Sequence, residues 1–269
     1  MSDKARFLMC PPDHFDVVYE INPWMVDQKR VDKALAMSQW EHLRKRISER
    51  ATVELMASQP GLPDMVFTAN AAAVAPRCVV TSRFVPRERQ PEEAHFKAWF
   101  RERGLPVTEL DDCVGFEGAG DCLADSRGQW YWAAYGFRTQ REAHPRLAAC
   151  FDSEIVSLRL VDERFYHLDT CLSPLHGGYL MYFPGAFDAG SLKAIHARVP
   201  ARYRIEIDED DACRFACNAV NIEERVILNA ASARVQAQLE QLGFVVEQVD
   251  LSEFIKAGGS AKCLVLQLA

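Results

Sequence analysis

Long apolar runs are absent from this sequence, and no stretch approaches the roughly 18 apolar residues of a membrane-spanning helix. The first ten residues lack the apolar segment and the cleavage site of a secretory signal peptide. Runs of basic residues are absent too, and the formal net charge is −7, which argues against nucleic acid as a partner. We therefore expect a cytoplasmic protein that binds neither membranes nor nucleic acid.

Signatures of several enzyme classes are also missing. No glycine-rich phosphate loop follows a predicted strand, and no Gly-x-Ser-x-Gly elbow marks a serine hydrolase. The nine cysteines are an odd number without a framework spacing, so we expect reduced thiols. Cys213 and Cys217, with His167 or Cys171, suggest zinc only weakly, because their spacing fits no paired-ligand motif. We expect no metal and no organic cofactor.

What the sequence contains is the material of an ordinary globular domain. Of its 269 residues, 49% are hydrophobic and 26% are charged, which is close to the average for such domains. Short apolar β-like stretches alternate with amphipathic helices in five units of about 40–60 residues. We interpret residues 1–269 as one α/β domain. A closed ring of five units would bring many strand ends to one axis, where distant residues could form a site.

The predicted elements follow from local patterns. Val235, Leu239 and Leu242 recur at helical spacing, and Gly243 stands where a helix ends. Pro91 suits the first turn of an earlier helix. The predicted helices begin near Lys29, Pro91, Arg141, Gly190 and Ala230. The predicted strands include residues 78–80, 130–132, 179–183, 226–228 and 263–266.

Cys263 is a candidate nucleophile. It follows Gly258, Gly259 and Ser260, which allow close backbone packing, and it precedes a predicted strand. The neighbouring Lys262 could favour the thiolate form of the cysteine. The alternative is a small buried residue, which is what most free cysteines are.

Two acidic segments suggest acid–base chemistry and cation binding. His167 and Asp169 lie two residues apart in a β-like stretch, which would place both side chains on one face. Such a pair suits a general acid/base beside a group that binds a cation, although a surface salt bridge explains it equally. Glu117 precedes Gly118 and Gly120, so a ligand could approach its backbone closely, although a turn with a capping acid also fits.

Amide and guanidinium side chains supply further candidates. Asn70 lies within an apolar, small-residue stretch, so it needs hydrogen-bond partners if it is buried. Arg89 and Arg138 each occur singly in a tight loop. Each could hold a carboxylate through two hydrogen bonds, or could form a surface ion pair.

Taken in order, these segments resemble the guanidine-modifying enzyme superfamily, which includes arginine deiminases, dimethylarginine dimethylaminohydrolases, amidinotransferases and arginine dihydrolases. The most specific features are the ordered Glu117, His-x-Asp at 167–169 and C-terminal Cys263. The resemblance runs over most of the chain, through residues 9–12, 20–25, 67–70, 88–90, 116–121, 137–139, 167–170 and 258–263. It implies the pentein fold, a five-bladed α/β propeller of ββαβ-type repeats around a central active site.

The resemblance also implies roles for individual residues. Cys263 would be the nucleophile, His167 the general acid/base and Glu117 a carboxylate that binds guanidinium. Asp169 would be a second anchor for the substrate cation. Arg89 and Arg138 resemble the arginines that hold the amino-acid carboxylate. The remaining polar positions of the family motifs are Asn22 and Asn70.

Two differences from the commoner family motifs indicate one branch of the superfamily. Asn70 stands where deiminases and dimethylarginine hydrolases usually carry an aspartate, and Glu117–Asp121 contains one residue more than the commoner Glu-Gly-Gly-Asp. Both features resemble the arginine dihydrolase branch, whose members convert arginine to ornithine, ammonia and carbon dioxide. The open alternatives are dimethylarginine hydrolysis, deimination to citrulline, amidino transfer and a non-catalytic binding pentein. The expected partner is small-molecule arginine or a substituted arginine, and a homo-oligomer is possible.

Overall fold

The computed structural model describes residues 4–26, 30–111 and 114–268. In this part of the chain, fifteen short strands form five sheets of three. In chain order the strands are β1 Arg6–Met9, β2 Thr52–Leu55, β3 Ala72–Ala75, β4 Cys78–Thr81, β5 Val107–Thr108, β6 Cys122–Ala124, β7 Tyr131–Tyr135, β8 Ile155–Arg159, β9 Leu172–Leu175, β10 Tyr179–Tyr182, β11 Arg204–Glu206, β12 Val220–Ile222, β13 Arg225–Leu228, β14 Val245–Gln248 and β15 Leu266–Leu268.

Seven α-helices accompany the strands within the described residues. They are α1 Lys33–Ser48, α2 Glu92–Glu102, α3 Ala143–Phe151, α4 Ala189–Arg198, α5 Glu209–Cys213, α6 Ala233–Gln241 and α7 Ser252–Ile255. Five of them connect the last two strands of a sheet. Parallel strands need such a crossover, because a short turn cannot return the chain to the same end.

Every sheet repeats one arrangement. The first two strands form an antiparallel hairpin, and the third strand pairs with the second in parallel after the crossover helix. The remaining sheet joins the two ends of the chain, because β15 pairs with β1 in antiparallel register and β1 pairs with β2 in parallel. This pairing closes the ring. The five-unit α/β propeller that the sequence predicted is therefore confirmed.

The helices bury one face each against neighbouring strands. Trp40 and Leu43 of α1 are buried, as are Phe96 and Phe100 of α2. In α6, Val235 and Leu239 are buried, and Gly243 follows the helix with a φ of +90°. The periodicity of the sequence thus identified the buried faces correctly.

The predicted helix starts agree with the structure to within a few residues. Pro91 immediately precedes α2, and α3 begins two residues after Arg141. α4 begins one residue before Gly190, and α6 begins three residues after Ala230. The remaining predicted start, Lys29, lies outside the described residues, and α1 begins at Lys33.

Two local predictions were wrong. Cys263 lies in a turn rather than in a strand, and β15 begins three residues later. His167 is extended, but Leu168–Thr170 forms a 3-10 turn, so His167 and Asp169 do not share a strand face. Both segments are tight turns because their backbone and side-chain groups bond locally. The Thr170 hydroxyl, for example, donates to the carbonyl of His167 at 2.6 Å.

The expectation that all thiols are reduced also needs correction. Cys78 on β4 and Cys150 on α3 form a disulfide, while six other described cysteines are free. The structure brings the pair together because α3 packs against β4 of the neighbouring sheet. Within the described residues, no helix is long and apolar enough to cross a membrane.

Candidate active site

The site forms where tight turns meet at the propeller axis. Residues 68–71, 118–120 and 168–170 are 3-10 turns that lead directly into β3, β6 and β9. The turns before β12 and β15 occupy the same place in their own sheets. Each of these turns precedes the first strand of its sheet. The fivefold arrangement therefore brings residues from distant parts of the chain together. Within this group, Glu117, His167 and Cys263 are nearly or fully buried.

Glu117 is the hub of the charged contacts. Its Oε2 lies 2.8 Å from His167 Nε2 and accepts a hydrogen bond from Arg138 Nη1 at 3.0 Å. Its Oε1 accepts from the Val85 backbone N–H at 3.2 Å. Burial alone would raise the pKa of Glu117, but Arg138 and His167 overcome that effect and lower it to about 2. Glu117 is therefore ionised, and His167 Nε2 carries the proton that bonds it.

Arg138 is held by more than Glu117. Its Nη2 donates to the Ile21 carbonyl at 2.7 Å, and its guanidinium lies 4.6 Å from the centre of the Tyr166 ring. This stacking distance suits a cation–π contact. A guanidinium of the protein itself is therefore paired with the carboxylate of Glu117.

Cys263 is positioned mainly by Asn218. The Asn218 amide donates to Cys263 Sγ at 3.1 Å and to the Asp169 carbonyl at 2.9 Å. Asn218 Oδ1 accepts from the backbone N–H groups of Lys262 at 3.0 Å and Cys263 at 3.2 Å. One amide side chain therefore fixes both the turn and the direction of the thiol.

The thiol lies against a carboxyl group. Cys263 Sγ is 3.4 Å from Asp169 Oδ2. Burial, with Asp169 adding to it, raises the pKa of Cys263 well above its usual value. The suggestion that Lys262 favours the thiolate therefore finds no support in the pKa of Cys263, whose largest influence is burial. Burial also raises the pKa of Asp169 to about 6, against the opposing effect of Lys262.

Arg89 and Asn70 belong to a second buried network. Arg89 Nη1 donates to Asn70 Oδ1 at 2.9 Å, and Arg89 Nη2 donates to Glu92 Oε2 at 2.8 Å. Asn70 Nδ2 donates to the Glu117 carbonyl at 3.4 Å. Asp64 is buried beside Arg89, and burial raises the pKa of Asp64. Arg89 thus donates most of its N–H groups to buried partners. Asn70 links Arg89 to Glu117, because it accepts a hydrogen bond from the first and donates one to the second.

Asn22 lies at the entrance to this site. Its Oδ1 accepts from the Trp24 N–H at 2.9 Å, and its Nδ2 donates to the Ala257 carbonyl at 3.1 Å. Gly258 lies so close that a Cβ there would be 2.8 Å from Asn22 Oδ1. Asn22 therefore ties the segment before the nucleophile to the N-terminal part of the chain.

The space between these groups is small. Asn70, Arg138, His167 and Cys263 line one cavity of about 10 Å³, which is no more than one water molecule needs. All the predicted site residues except Glu117 and Asp169 line this cavity, and those two contact its lining. A ligand larger than a water molecule therefore requires some of the lining side chains to move.

Sequence reasoning missed several buried partners, which include Asp64, Glu92, Thr139, Tyr166 and Asn218. Asn218 could have been found, because it stands two residues before β12 as Asn70 stands two residues before β3. Glu92 could also have been found, because it lies three residues after Arg89. The others carry no comparable signal, because their partners are distant in the sequence. Among the described residues, no group of three or more His, Cys, Asp or Glu side chains could hold a metal ion.

The family model for eukaryotic N,N dimethylarginine dimethylhydrolase matches residues 20–269. The chain belongs to the dimethylarginine dimethylaminohydrolase family. A member of that name from Mycobacterium tuberculosis is 41% identical over 98% of this chain and 85% of its own length. The predicted superfamily is therefore confirmed.

This dimethylarginine dimethylaminohydrolase family member also resembles cyanobacterial enzymes. The bifunctional arginine dihydrolase/ornithine cyclodeaminase ArgZ of Synechocystis sp. is 52% identical over the whole chain. The chain spans only 38% of the length of ArgZ. A crystal structure of the N-terminal domain of ArgZ, covalently bound to a reaction intermediate, superposes with a TM-score of 0.98 over 98% of both chains, at 52% identity.

Proposed function

We propose that this chain is an arginine dihydrolase, which converts arginine to ornithine, carbon dioxide and two molecules of ammonia. The observation that carries the proposal is Asn70, a neutral amide, beside the Glu117–His167 pair and Cys263. The cyanobacterial relatives add support, because ArgZ is named as an arginine dihydrolase. A cysteine-to-serine variant of its N-terminal domain, bound to substrate, is 52% identical to this chain.

When arginine binds, its guanidinium would replace that of Arg138 on Glu117. Glu117 is already ionised and loses Arg138 as a partner when the substrate enters. We propose that Arg138, once released, holds the substrate carboxylate, with the last free N–H of Arg89 Nη1 as a second donor. Asp169 anchors the other side of the substrate guanidinium. This fixed orientation makes the attack of Cys263 nearly unimolecular.

The substrate would also favour ionisation of the Cys263 thiol. A guanidinium beside Cys263 offsets the desolvation that raises the thiol pKa, so it favours the thiolate. The thiolate sulfur then bonds to the guanidinium carbon, and His167 delivers a proton to the departing ammonia. The product of this step is a covalent thiouronium, which needs no metal or cofactor.

Water completes the first half of the reaction. His167 accepts a proton from a water molecule, the water oxygen bonds to the thiouronium carbon, and the carbon–sulfur bond breaks to leave a ureido group. A second attack by Cys263 on that group releases a second ammonia. Hydrolysis of the resulting thiocarbamate then gives ornithine and carbon dioxide, so that two waters are consumed in all.

Asn70 would decide whether Cys263 attacks the ureido intermediate a second time. An amide presents one acceptor oxygen and two donor hydrogens, so it can bond both a guanidinium and a neutral ureido group. A carboxylate at this place would be left unpaired and buried when the neutral product forms, which costs free energy. Asn70 therefore keeps the ureido intermediate bound for a second attack.

The test is an amino-acid and ammonia analysis of a completed reaction with arginine. The dihydrolase proposal expects two ammonia for each ornithine, with little free citrulline. Stoichiometric citrulline would leave a deiminase instead. An added amine acceptor that captured the amidino group would identify an amidinotransferase.

Dimethylarginine hydrolysis is the second candidate, because the 41% identical relative from Mycobacterium tuberculosis carries that name over most of its length. Turnover of dimethylarginine without turnover of arginine would favour it. A chain that binds arginine but turns over neither substrate would be a non-catalytic pentein.

We further propose that residues 1–269 act as one catalytic unit in the cytoplasm. The pairing of β15 with β1 in one sheet supports a single propeller. Mass measurement under native conditions would show whether it works as a monomer or a homo-oligomer.

A further inference from the structure

A second cavity lies at the other end of the propeller axis. It has a volume of about 300 Å³, much larger than the site around Cys263. Its walls include the hairpin tips that follow β6, β9 and β12, represented by Asp125, His176 and Glu223. The turns of the active site precede these same strands. The rear cavity therefore lies one strand length behind the nucleophile.

Lys262 forms part of the boundary between the two spaces. Its backbone N–H bonds Asn218 in the active-site turn, but its side chain lines the rear cavity together with Gln267. Among the described residues, the ammonium group donates one hydrogen bond, to the Val265 carbonyl at 3.3 Å. An ammonium group has three donors. Two of them are left for a ligand in the rear cavity.

The rim of this cavity is acidic. Glu223 is exposed at the tip between β12 and β13, and Asp125 is buried at the tip between β6 and β7. The Asp125 carboxylate accepts one backbone hydrogen bond, from Arg127 at 3.0 Å. These two carboxylates repel a doubly charged anion but attract an amine. A ligand with one carboxylate and one ammonium group matches both ends of the cavity.

We propose that the rear cavity binds a small amino acid, with its carboxylate on the Lys262 ammonium and its own ammonium toward Asp125 and Glu223. The volume suits a ligand of this size. An occupant also changes the charge beside the nucleophile, because Lys262 is the residue next to Cys263 and interacts electrostatically with Asp169. The site is separate from arginine hydrolysis, so it can exist whichever reaction Cys263 performs.

Isothermal titration with L-alanine tests this assignment. Lys262→Met should weaken alanine binding by about tenfold or more, because it removes a charged hydrogen-bond donor. The matched control is Lys256→Met, since Lys256 is a half-buried lysine that pairs with Glu253 and does not line the cavity. Arg138→Met should leave alanine binding unchanged, because Arg138 belongs to the front cavity. Loss of binding in Arg138→Met but not in Lys262→Met would place the alanine in the front cavity and overturn the proposal.

The exposed rim supplies a second variant that does not disturb the core. Glu223→Gln should weaken L-alanine binding several-fold and should not weaken the binding of acetate, which has no amine. Inorganic phosphate should bind more weakly than alanine to the wild type. No alanine binding at tens of millimolar, or equal effects of Glu223→Gln on alanine and acetate, would overturn the amino-acid assignment.

Discussion

Arg138 donates from Nη1 to Glu117 Oε2 at 3.0 Å, so the protein places its own guanidinium on the carboxylate proposed to bind the substrate guanidinium. The contact has two consequences. It keeps Glu117 charged despite complete burial, and it holds Arg138 inside the site. In the proposed reaction, substrate entry is therefore an exchange of one guanidinium for another.

Arg138→Met tests whether Arg138 both competes with the substrate guanidinium and holds the substrate carboxylate. Methylguanidinium should bind the variant more tightly than the wild type, by about tenfold, because it no longer displaces an internal cation. Arginine should bind more weakly, because its carboxylate loses a partner. Equilibrium titration with both ligands measures the two effects, and Arg141→Met, a change of an exposed arginine, is the control. Weaker binding of both ligands would contradict the exchange.

Asp169 should set the acidic limit of activity. Burial raises its pKa to about 6, so it is ionised above that pH and neutral below it. Because only the ionised form anchors a cation, kcat/KM for arginine should fall as the pH drops below about 6. Burial raises the pKa of Asp121 to the same value, so Asp121→Asn is the control. The fall of kcat/KM at acidic pH should remain in Asp121→Asn and disappear in Asp169→Asn.

His167→Ala should reduce kcat by about 10²–10⁴-fold with a smaller change in substrate affinity, because His167 moves protons during bond breaking. Steady-state kinetics with a separate binding measurement on the variant distinguish the two effects. His42→Ala, a change of an exposed histidine on α1, should have no effect. Near-normal turnover of His167→Ala would remove this histidine from the mechanism.

Cys263 should discriminate between alkylating reagents by charge. The burial that raises its thiol pKa makes it slow toward neutral iodoacetamide at neutral pH. A chloroacetamidinium reagent should react about tenfold faster, because its cation is drawn to Glu117 and Asp169 and favours the thiolate. Peptide mass mapping gives both rates. Cys213, a free and half-buried thiol beside Arg164, should show no such preference, and an equal ratio at both cysteines would refute the idea.

Asn70→Asp should shift the product from ornithine toward citrulline. The new carboxylate still accepts from Arg89, but it cannot donate to the Glu117 carbonyl or to a ureido group. The neutral intermediate is therefore released before a second attack. Amino-acid analysis of the completed reaction measures the ratio, with Asn229→Asp, a change of a half-buried asparagine that does not line the site, as the control. Unchanged ornithine production by Asn70→Asp would separate Asn70 from the choice of product.

Much of the architecture was predictable because local patterns report burial. Alternating β-like stretches and amphipathic helices indicated five units, and small residues next to polar ones marked Glu117 and Asn70. The ordered residues Glu117, His167 and Cys263 indicated the superfamily. Turn conformation was less predictable, as the segments at His167 and Cys263 show, because short apolar stretches fit a strand and a tight turn equally well.

The sequence by itself determined the helical faces, the five repeated units and the chemical types of the site residues, since these depend on side-chain character and spacing. Only the tertiary structure decided that Arg138 lies on Glu117, that Asn218 holds Cys263, and that Cys78 meets Cys150. The Asn218 and Cys78 contacts join different sheets, and the Arg138 contact joins the two ends of the β6–β7 hairpin. Their geometry therefore depends on how strands and sheets pack rather than on neighbours in the chain. The raised pKa of Cys263 has the same origin, because desolvation is a property of the packed site.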